Sequence, residues 1–276
     1  MPGKLYLVAT PIGNLKDITL RAIDTLRTVD IVACEDTRHT RKLLSHLGIQ
    51  AKLVSYHEHN EIARAADLAK RLEEGDSVAV VSDAGTPGVS DPSFRIVESA
   101  IKVGADVIPV PGPVAFVSAV IASGLPTDSI FFAGFLPSKK GERKKRLDEL
   151  SHIPATLIFY ESPRRVAASV ADCYAAFGDR QAVIAREISK IHEEYIRGSL
   201  KDLSSSITTE LKGEIVVMID RHHGESDAVD AQISLAERLA AIEAEGVDHK
   251  VALKRLAKEF GLSRSEAYRR LQSERA

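Results

Sequence analysis

The sequence predicts an α/β protein: a helix-covered, mostly parallel sheet, then a second domain on a mixed sheet, then a small all-helical region. Three observations carry this. Short β-branched runs alternate with helix-period segments from the amino terminus to about Pro126. Beyond that point the strand-like runs crowd together in sequence, which favours antiparallel or mixed pairing. After Asp220 the chain turns polar over Arg221-His222-His223-Gly224-Glu225-Ser226-Asp227, and from Ile233 onward every apolar spacing is helical. The resulting domains are 1–122, 123–222 and 228–276.

Leu5-Tyr6-Leu7-Val8-Ala9 reads as the first strand, followed by the loop Thr10-Pro11-Ile12-Gly13-Asn14 and a helix over 19–28. Residues 31–34 and 53–56 are the next strands, separated by a helix over 37–47 that Gly48 closes. A helix over 61–73 ends before Gly75. Ser77-Val78-Ala79-Val80-Val81 carries no charge and reads as a strand buried on both faces. A helix over 93–103 and a strand over 107–110 complete the first domain's pattern. In the second domain, 130–134, 155–160, 182–185, 194–198 and 214–219 read as strands, with helices over 143–150 and 164–177. The tail reads as helix 251–260, the turn Gly261-Leu262-Ser263 and helix 264–271, with Ser263 as N-cap.

At 276 residues the chain can bury a substantial core, and a net charge of −2 argues against a generic polyanion binder. Cys34 and Cys173 have neither disulfide-framework nor zinc-site spacing, and the nine histidines give no metal signal. Residues 107–127 are uncharged, but Pro109, Pro111, Pro113 and Pro126 interrupt them and exclude a membrane span. With no signal-peptide layout at the amino terminus, the expected compartment is the cytoplasm.

Three Gly/Pro-shaped loops follow strands that would share one sheet edge: 10–14, 82–92 (Ser82-Asp83-Ala84-Gly85-Thr86-Pro87-Gly88-Val89-Ser90-Asp91-Pro92) and Pro111-Gly112-Pro113-Val114-Ala115. Open α/β sheets bind ligands at the carboxyl ends of their strands. None of the loops is a dinucleotide fingerprint or a P-loop. A backbone-rich cleft edged by carboxylates suits a ligand with cationic and hydrogen-bonding groups better than a triphosphate.

These loops, together with Cys34-Glu35-Asp36-Thr37-Arg38 and Phe159-Tyr160-Glu161-Ser162-Pro163-Arg164-Arg165, occur in an order that closely resembles the tetrapyrrole methylase superfamily. These are the class III S-adenosylmethionine methyltransferases, and the resemblance is to their branch that methylates a ribose 2′-hydroxyl of a small-subunit ribosomal RNA cytidine. It implies two α/β domains of the tetrapyrrole methylase type with S-adenosyl-L-methionine between them, and a homodimer. Its acceptor would be 16S rRNA in the 30S subunit, at the decoding centre. Carried over residue by residue, Pro11, Asp83, Gly85, Thr86, Pro87, Gly112, Pro113, Val114 and Ala115 are the cofactor candidates, with Tyr160 facing them from the second domain.

Candidates for a base that accepts the hydroxyl proton are Glu161 and the pair Arg186 and Glu187, at strand ends that could face the cleft. The same residues are more simply read as structural ion pairs, Glu161 with Arg164 and Arg186 with Glu187, and Glu35 and Arg38 could face substrate. Residues 138–146 hold six basic side chains and one acidic, and Lys139, Lys140, Arg143, Lys144 and Lys145 are expected to contact phosphates. The tail holds eight basic against three acidic residues over 250–276. Arg264, Arg269 and Arg270 could bind RNA there, or the tail could be an ordinary helical hairpin. A methylase of a tetrapyrrole, or a ligand-sensing nucleic-acid-binding regulator, are the alternative readings.

Overall fold

The computed structural model describes residues 1–91, 93–207, 211–222, 235–260 and 262–274. Its described residues form two compact units, Met1–Arg221 and His222–Ala276.

The first sheet is built from β1 (Lys4–Val8), β2 (Ile31–Cys34), β3 (Lys52–Ser55), β4 (Val78–Val81) and β5 (Asp106–Val110). Its order is β3-β2-β4-β1-β5, and every neighbouring pair is parallel. Strands β2 and β4 are buried along their whole length, which is why their sequences are continuously apolar rather than alternating. The connecting helices are α1 (Leu20–Thr28), α2 (Thr37–His46), α3 (Glu61–Glu73) and α4 (Phe94–Lys102). Thr19 and Asp36 cap the first two with their side-chain oxygens. One apolar cluster, including Leu5, Leu68, Leu72 and Ile96, fills one side of this sheet, and another, including Val8, Leu26, Val32 and Leu44, fills the other. The chain leaves β1 towards β2 but leaves β4 towards β5, so the connections diverge at the carboxyl ends of two adjacent strands. A crevice at such a point is where this architecture takes ligands.

After β5 the short helix α5 (Ala115–Ile121) leads to the second sheet. Its strands are β6 (Ile130–Phe135), β7 (Thr156–Glu161), β8 (Gln181–Arg186), β9 (Glu194–Ser199) and β10 (Ile215–Ile219), in the order β6-β7-β10-β8-β9. Only β6 and β7 run parallel; the other three pairings are antiparallel, giving the expected mixed sheet. Helices α6 (Lys140–Leu150), α7 (Val166–Phe177) and α8 (Leu200–Ser206) cover one face through a core that includes Leu147, Phe159, Val170 and Leu200. Helix α8 is absent from the sequence-based expectation because Leu-Lys-Asp-Leu-Ser-Ser-Ser is too short and serine-rich to read as helix. Ser199 caps it and burial of Leu200 and Leu203 holds it in place.

The other face of this sheet meets the first layer directly. Ile12, Ala119 and Val120 pack with Ile158, Val183, Val216 and Met218 in one cluster. Arg197 on β9 donates to the carbonyls of Ala122 and Ser123 at the end of α5, at 2.7 and 3.0 Å, satisfying helix-end acceptors. Cys34 and Cys173 are free and buried.

The second unit holds α9 (Leu235–Ala244), α10 (His249–Glu259) and α11 (Arg264–Glu274). Leu235, Leu239, Leu253 and Leu256 are buried against one another and against Ile242, Ala267 and Leu271. Ser263 Oγ accepts the backbone N–H of Glu266, the expected N-cap. His223 to Asp227 of the polar connection, and Pro92 of the 82–92 loop, lie outside the described residues.

Candidate active site

The three Gly/Pro loops meet where the sequence places them and are tied to each other by hydrogen bonds. Thr10 and Gly85 exchange backbone bonds at 2.9 and 3.1 Å, a single antiparallel bridge between the loops after β1 and β4. The Thr10 hydroxyl donates to the Ser82 carbonyl at 3.1 Å. The Thr86 hydroxyl donates to the Pro113 carbonyl at 3.1 Å, which joins the loop after β4 to that after β5. The Asp36 N–H donates to Asp83 Oδ1 at 3.1 Å and brings in the end of β2. Gly85 has φ +84°, and a Cβ there would lie 3.2 Å from Ile12 Cγ2 and 3.5 Å from the Pro113 carbonyl oxygen. Glycine is therefore favoured there by backbone conformation and by the close approach of the neighbouring loops.

Together these loops and the ends of β7 and β10 enclose a cavity of about 380 Å³, within the range of roughly 300–1,000 Å³ for small-molecule sites. Asp83, Gly85, Thr86, Val114, Ala115 and Tyr160 of the expected cofactor set line it. Pro11, Pro87, Gly112 and Pro113 are not among its lining residues. Gly112 instead lets two loops touch: a Cβ there would sit 2.7 Å from the Ala9 Cβ. Ile12, Glu35, Ser90, Asp91, Phe135 and Ile188 line the cavity although the expected cofactor set does not include them. Phe135 belongs to the segment 132–137 just ahead of the basic run, which the sequence places at this same cleft, whereas nothing in the local sequence of Ile188 distinguishes it from a core residue.

Five carboxylates line the cavity: Glu35, Asp83 and Asp91 from the first sheet's loops, and Glu161 and Glu214 from the second sheet. Burial, and then the neighbouring Asp83 and Asp91 carboxylates, push the Glu35 carboxyl up from its ordinary value. Asp91 Oδ1 accepts from the Gly88 N–H and the Ser93 hydroxyl, both at 2.6 Å. Its Oδ2 is buried and has no hydrogen-bond partner among the described residues. An orphaned acceptor beside two further carboxylates fits a ligand that brings donors and positive charge. The apolar and aromatic part of the lining, which includes Ile12, Val114, Ala115 and Tyr160, is suited to hold an organic body. Tyr160 is fixed by the Phe116 N–H, which donates to its hydroxyl at 3.3 Å, and burial raises its pKa.

The residues expected to act as base are placed differently. Glu161 is buried, accepting from the Ser162 N–H at 2.8 Å and from the Ser169 hydroxyl, with Arg165 Nε 3.3 Å away. It touches the cavity wall, but its acceptors are engaged, so it acts as a brace for the turn after β7. Arg186 pairs with Glu194 and donates to the Lys212 carbonyl, and Glu187 pairs with Lys190 at 2.9 Å. The Lys190 hydrogen bond holds the Glu187 carboxyl below its ordinary value. Neither residue lines the cavity, and both are engaged in ion pairs. Their ion-pair partners are close in sequence, which is the signal that could have identified them.

Within 138–146, Lys139, Lys140, Lys144 and Lys145 are exposed, and Lys139 pairs with Glu142 at 3.1 Å. Arg143 is a correction to the phosphate-contacting set: it is 6% exposed, pairs with Asp172 at 2.6 Å and donates to the carbonyls of Pro137 and Ser138. It faces the core side of α6, where a guanidinium can stay only if its donors are satisfied. In the tail, Arg269 and Arg270 are exposed, Arg270 lies 3.5 Å from Glu266, and the side chain of Arg264 lies outside the described residues.

A parallel α/β layer, a mixed-sheet layer and a carboxylate-edged cavity between them define a class III methyltransferase architecture. The family model for Tetrapyrrole (Corrin/Porphyrin) Methylases matches residues 4–204. The methyltransferase CobJ superposes with a TM-score of 0.59 at 18% identity, covering 79% of this chain and 94% of that one. Uroporphyrin-III C-methyltransferase from Thermus thermophilus, complexed with S-adenyl homocysteine, gives a TM-score of 0.55 at 19% identity over 78% and 97% of the two chains. Similarity at this level establishes the fold. Much nearer in sequence are proteins named Ribosomal RNA small subunit methyltransferase I. That of Mesorhizobium japonicum is 48% identical over 97% of this chain and 90% of its own length. That of Halalkalibacterium halodurans is 45% identical over 96% and 93%. The chain belongs to the tetrapyrrole methylase family and, within it, to the ribosomal RNA small subunit methyltransferase I group.

Proposed function

We propose that this protein transfers a methyl group from S-adenosyl-L-methionine to the ribose 2′-hydroxyl of a cytidine in the decoding centre of 16S rRNA. The observation that carries the reading is near-full-length identity of 45% and 48% to ribosomal RNA small subunit methyltransferases I. The cavity agrees with it in chemistry. Asp83, Asp91 and the loop backbone would hold the donor's amine and hydroxyl groups, and Ile12, Val114, Ala115 and Tyr160 its apolar parts. Bound there, the donor's sulfonium supplies an activated methyl group. The chain's main task is then to align a ribose hydroxyl with it and to keep water out, because an in-line displacement gains most from positioning.

The hydroxyl proton needs an acceptor. Glu35 lines the cavity, has no hydrogen-bond or ion-pair partner among the described residues, and has a raised pKa. It replaces Glu161 and Glu187 as our assignment for the base. The exposed lysines of α6 would carry the RNA backbone. The substrate is the 30S subunit, and the active form is a cytoplasmic homodimer. Among the described residues no helix is long and apolar enough to cross a membrane. Mass spectrometry of 16S rRNA from a deletion strain tests the reading: one 2′-O-methylcytidine should disappear, and an unchanged methyl inventory would overturn it.

A further inference from the structure

Phe135 is the large aromatic side chain that the donor site leaves unused. It lines the cavity, yet it is 57% exposed, whereas Phe132 and Tyr160 beside it are half-buried. Its position is built by an irregularity in β6. Phe132 pairs with Ile158 and Phe135 with Tyr160, so β6 uses one more residue than β7 over this step. Gly134 takes φ +67° there, and an extra residue of this kind re-aims the following side chain. The ring of Phe135 ends 5.6 Å from that of Tyr160, tilted by 58°, with its other side free of any ring partner among the described residues. Tyr160 is pinned in turn by Phe132 at 4.9 Å and by the Phe116 N–H. The platform is rigid from behind and open in front.

What lies next to it identifies the occupant. Phe135 is followed by Leu136, Pro137 and Ser138, and then by the exposed Lys139 and Lys140, with Lys144 one turn further along α6. An open aromatic face on the cavity wall, a few residues ahead of exposed lysines at the start of α6, matches a nucleotide presented with its base unstacked and its phosphates on the lysines. Resting on the rRNA reading above, we propose that the target cytidine is turned out of its helix and that its cytosine stacks on Phe135, which sets the ribose hydroxyl at the cavity mouth. Phe135 is thus a positioning residue for the acceptor and takes no part in holding the donor. Enzymes that modify nucleotides within structured nucleic acid commonly expose them this way.

The test uses the full-length protein, 30S subunits lacking the modification, and calorimetry with S-adenosylmethionine. Stacking of a base on an aromatic ring is worth about 1–3 kcal/mol, so Phe135→Ala and Phe135→Leu should lower kcat/KM on 30S subunits by roughly 5- to 150-fold. Phe135→Tyr should stay within a few-fold of wild type. Donor affinity and melting temperature should not move in any of the three, since the side chain is exposed. Wild-type kcat/KM for Phe135→Leu would overturn the inference, because an apolar contact would then suffice. A fall in donor affinity parallel to the fall in kcat/KM would overturn it by placing Phe135 on the donor. Failure of the wild-type protein itself to methylate 30S subunits would instead overturn the rRNA reading, and this inference with it.

Discussion

Glu35 follows β2 at the carboxylate-lined part of the cavity, half-buried and facing Asp83 and Asp91. Its raised pKa has a consequence for stability whose sign is fixed by linkage. The folded state binds the proton more tightly than the unfolded chain, so stability falls as pH rises from the ordinary glutamate value of 4.5 through the raised one. Above that window the charged side chain is a standing cost. Glu35→Gln should therefore raise the melting temperature at pH 7–8, and the gain should vanish below about pH 4, where Glu35 is protonated in both states. The same variant should lose about 10²-fold or more in turnover if Glu35 takes the hydroxyl proton. Thermal melts across pH, with turnover on 30S subunits, check both; an equal stability change at pH 4 and pH 8 would contradict the electrostatic origin. Among single residues the sequence was legible where one residue type answers one geometric need. Asp83, Gly85 and Thr86 sit in the cavity wall as expected, whereas Gly112 proved to serve the packing of two loops. Charged residues at strand ends were only partly legible: Glu161 and Glu187 have basic partners three or four residues away in sequence, whereas the place in the cavity wall of Glu35, unpaired among the described residues, is set by the fold.

Helix α6 separates two uses of positive charge within a few residues. Arg143 turns inward to Asp172 and to the carbonyls that precede the helix, while Lys140, Lys144 and Lys145 turn out. Removing Arg143 leaves the mostly buried Asp172 carboxylate without its cation, so Arg143→Ala should destabilise the protein by about 3 kcal/mol in urea unfolding. The double change Lys144→Glu with Lys145→Glu should alter stability by no more than about 0.5 kcal/mol per site. It should also reduce the log–log salt slope of RNA binding by about 0.7–0.9 for each phosphate that is no longer neutralised. A stability loss from the lysine pair equal to that from Arg143 would contradict this division. A linear count of basic residues over 138–146 could not make it, because which face of α6 is buried depends on where α7 packs. For the same reason the β-α alternation was readable in sequence, where burial on both faces makes β2 and β4 uniformly apolar, while α8 was not.

Across the protein as a whole, function rests on two sheets joined face to loop. The first supplies the loops around the cavity, and the second closes it with the ends of β7 and β10 and aims Phe135 at its mouth. The tail is a unit with its own core, in which Leu235, Leu239, Leu253 and Leu256 are consumed internally and Arg269 and Arg270 remain at the surface. The sequence pattern of helix, glycine turn and capped helix made that unit legible, but its binding partner is not encoded in its periodicity. The reaction proposed for this cavity moves a methyl group to a ribose oxygen of 16S rRNA. It can be followed by incubating the purified protein and S-adenosylmethionine carrying an isotope-labelled methyl group with 30S subunits from a strain lacking the enzyme. The rRNA is then digested to nucleosides for mass spectrometry. One labelled methyl per subunit, recovered as 2′-O-methylcytidine, is the expected result. Label on a base, or no label in rRNA while the protein still binds the donor, would contradict it.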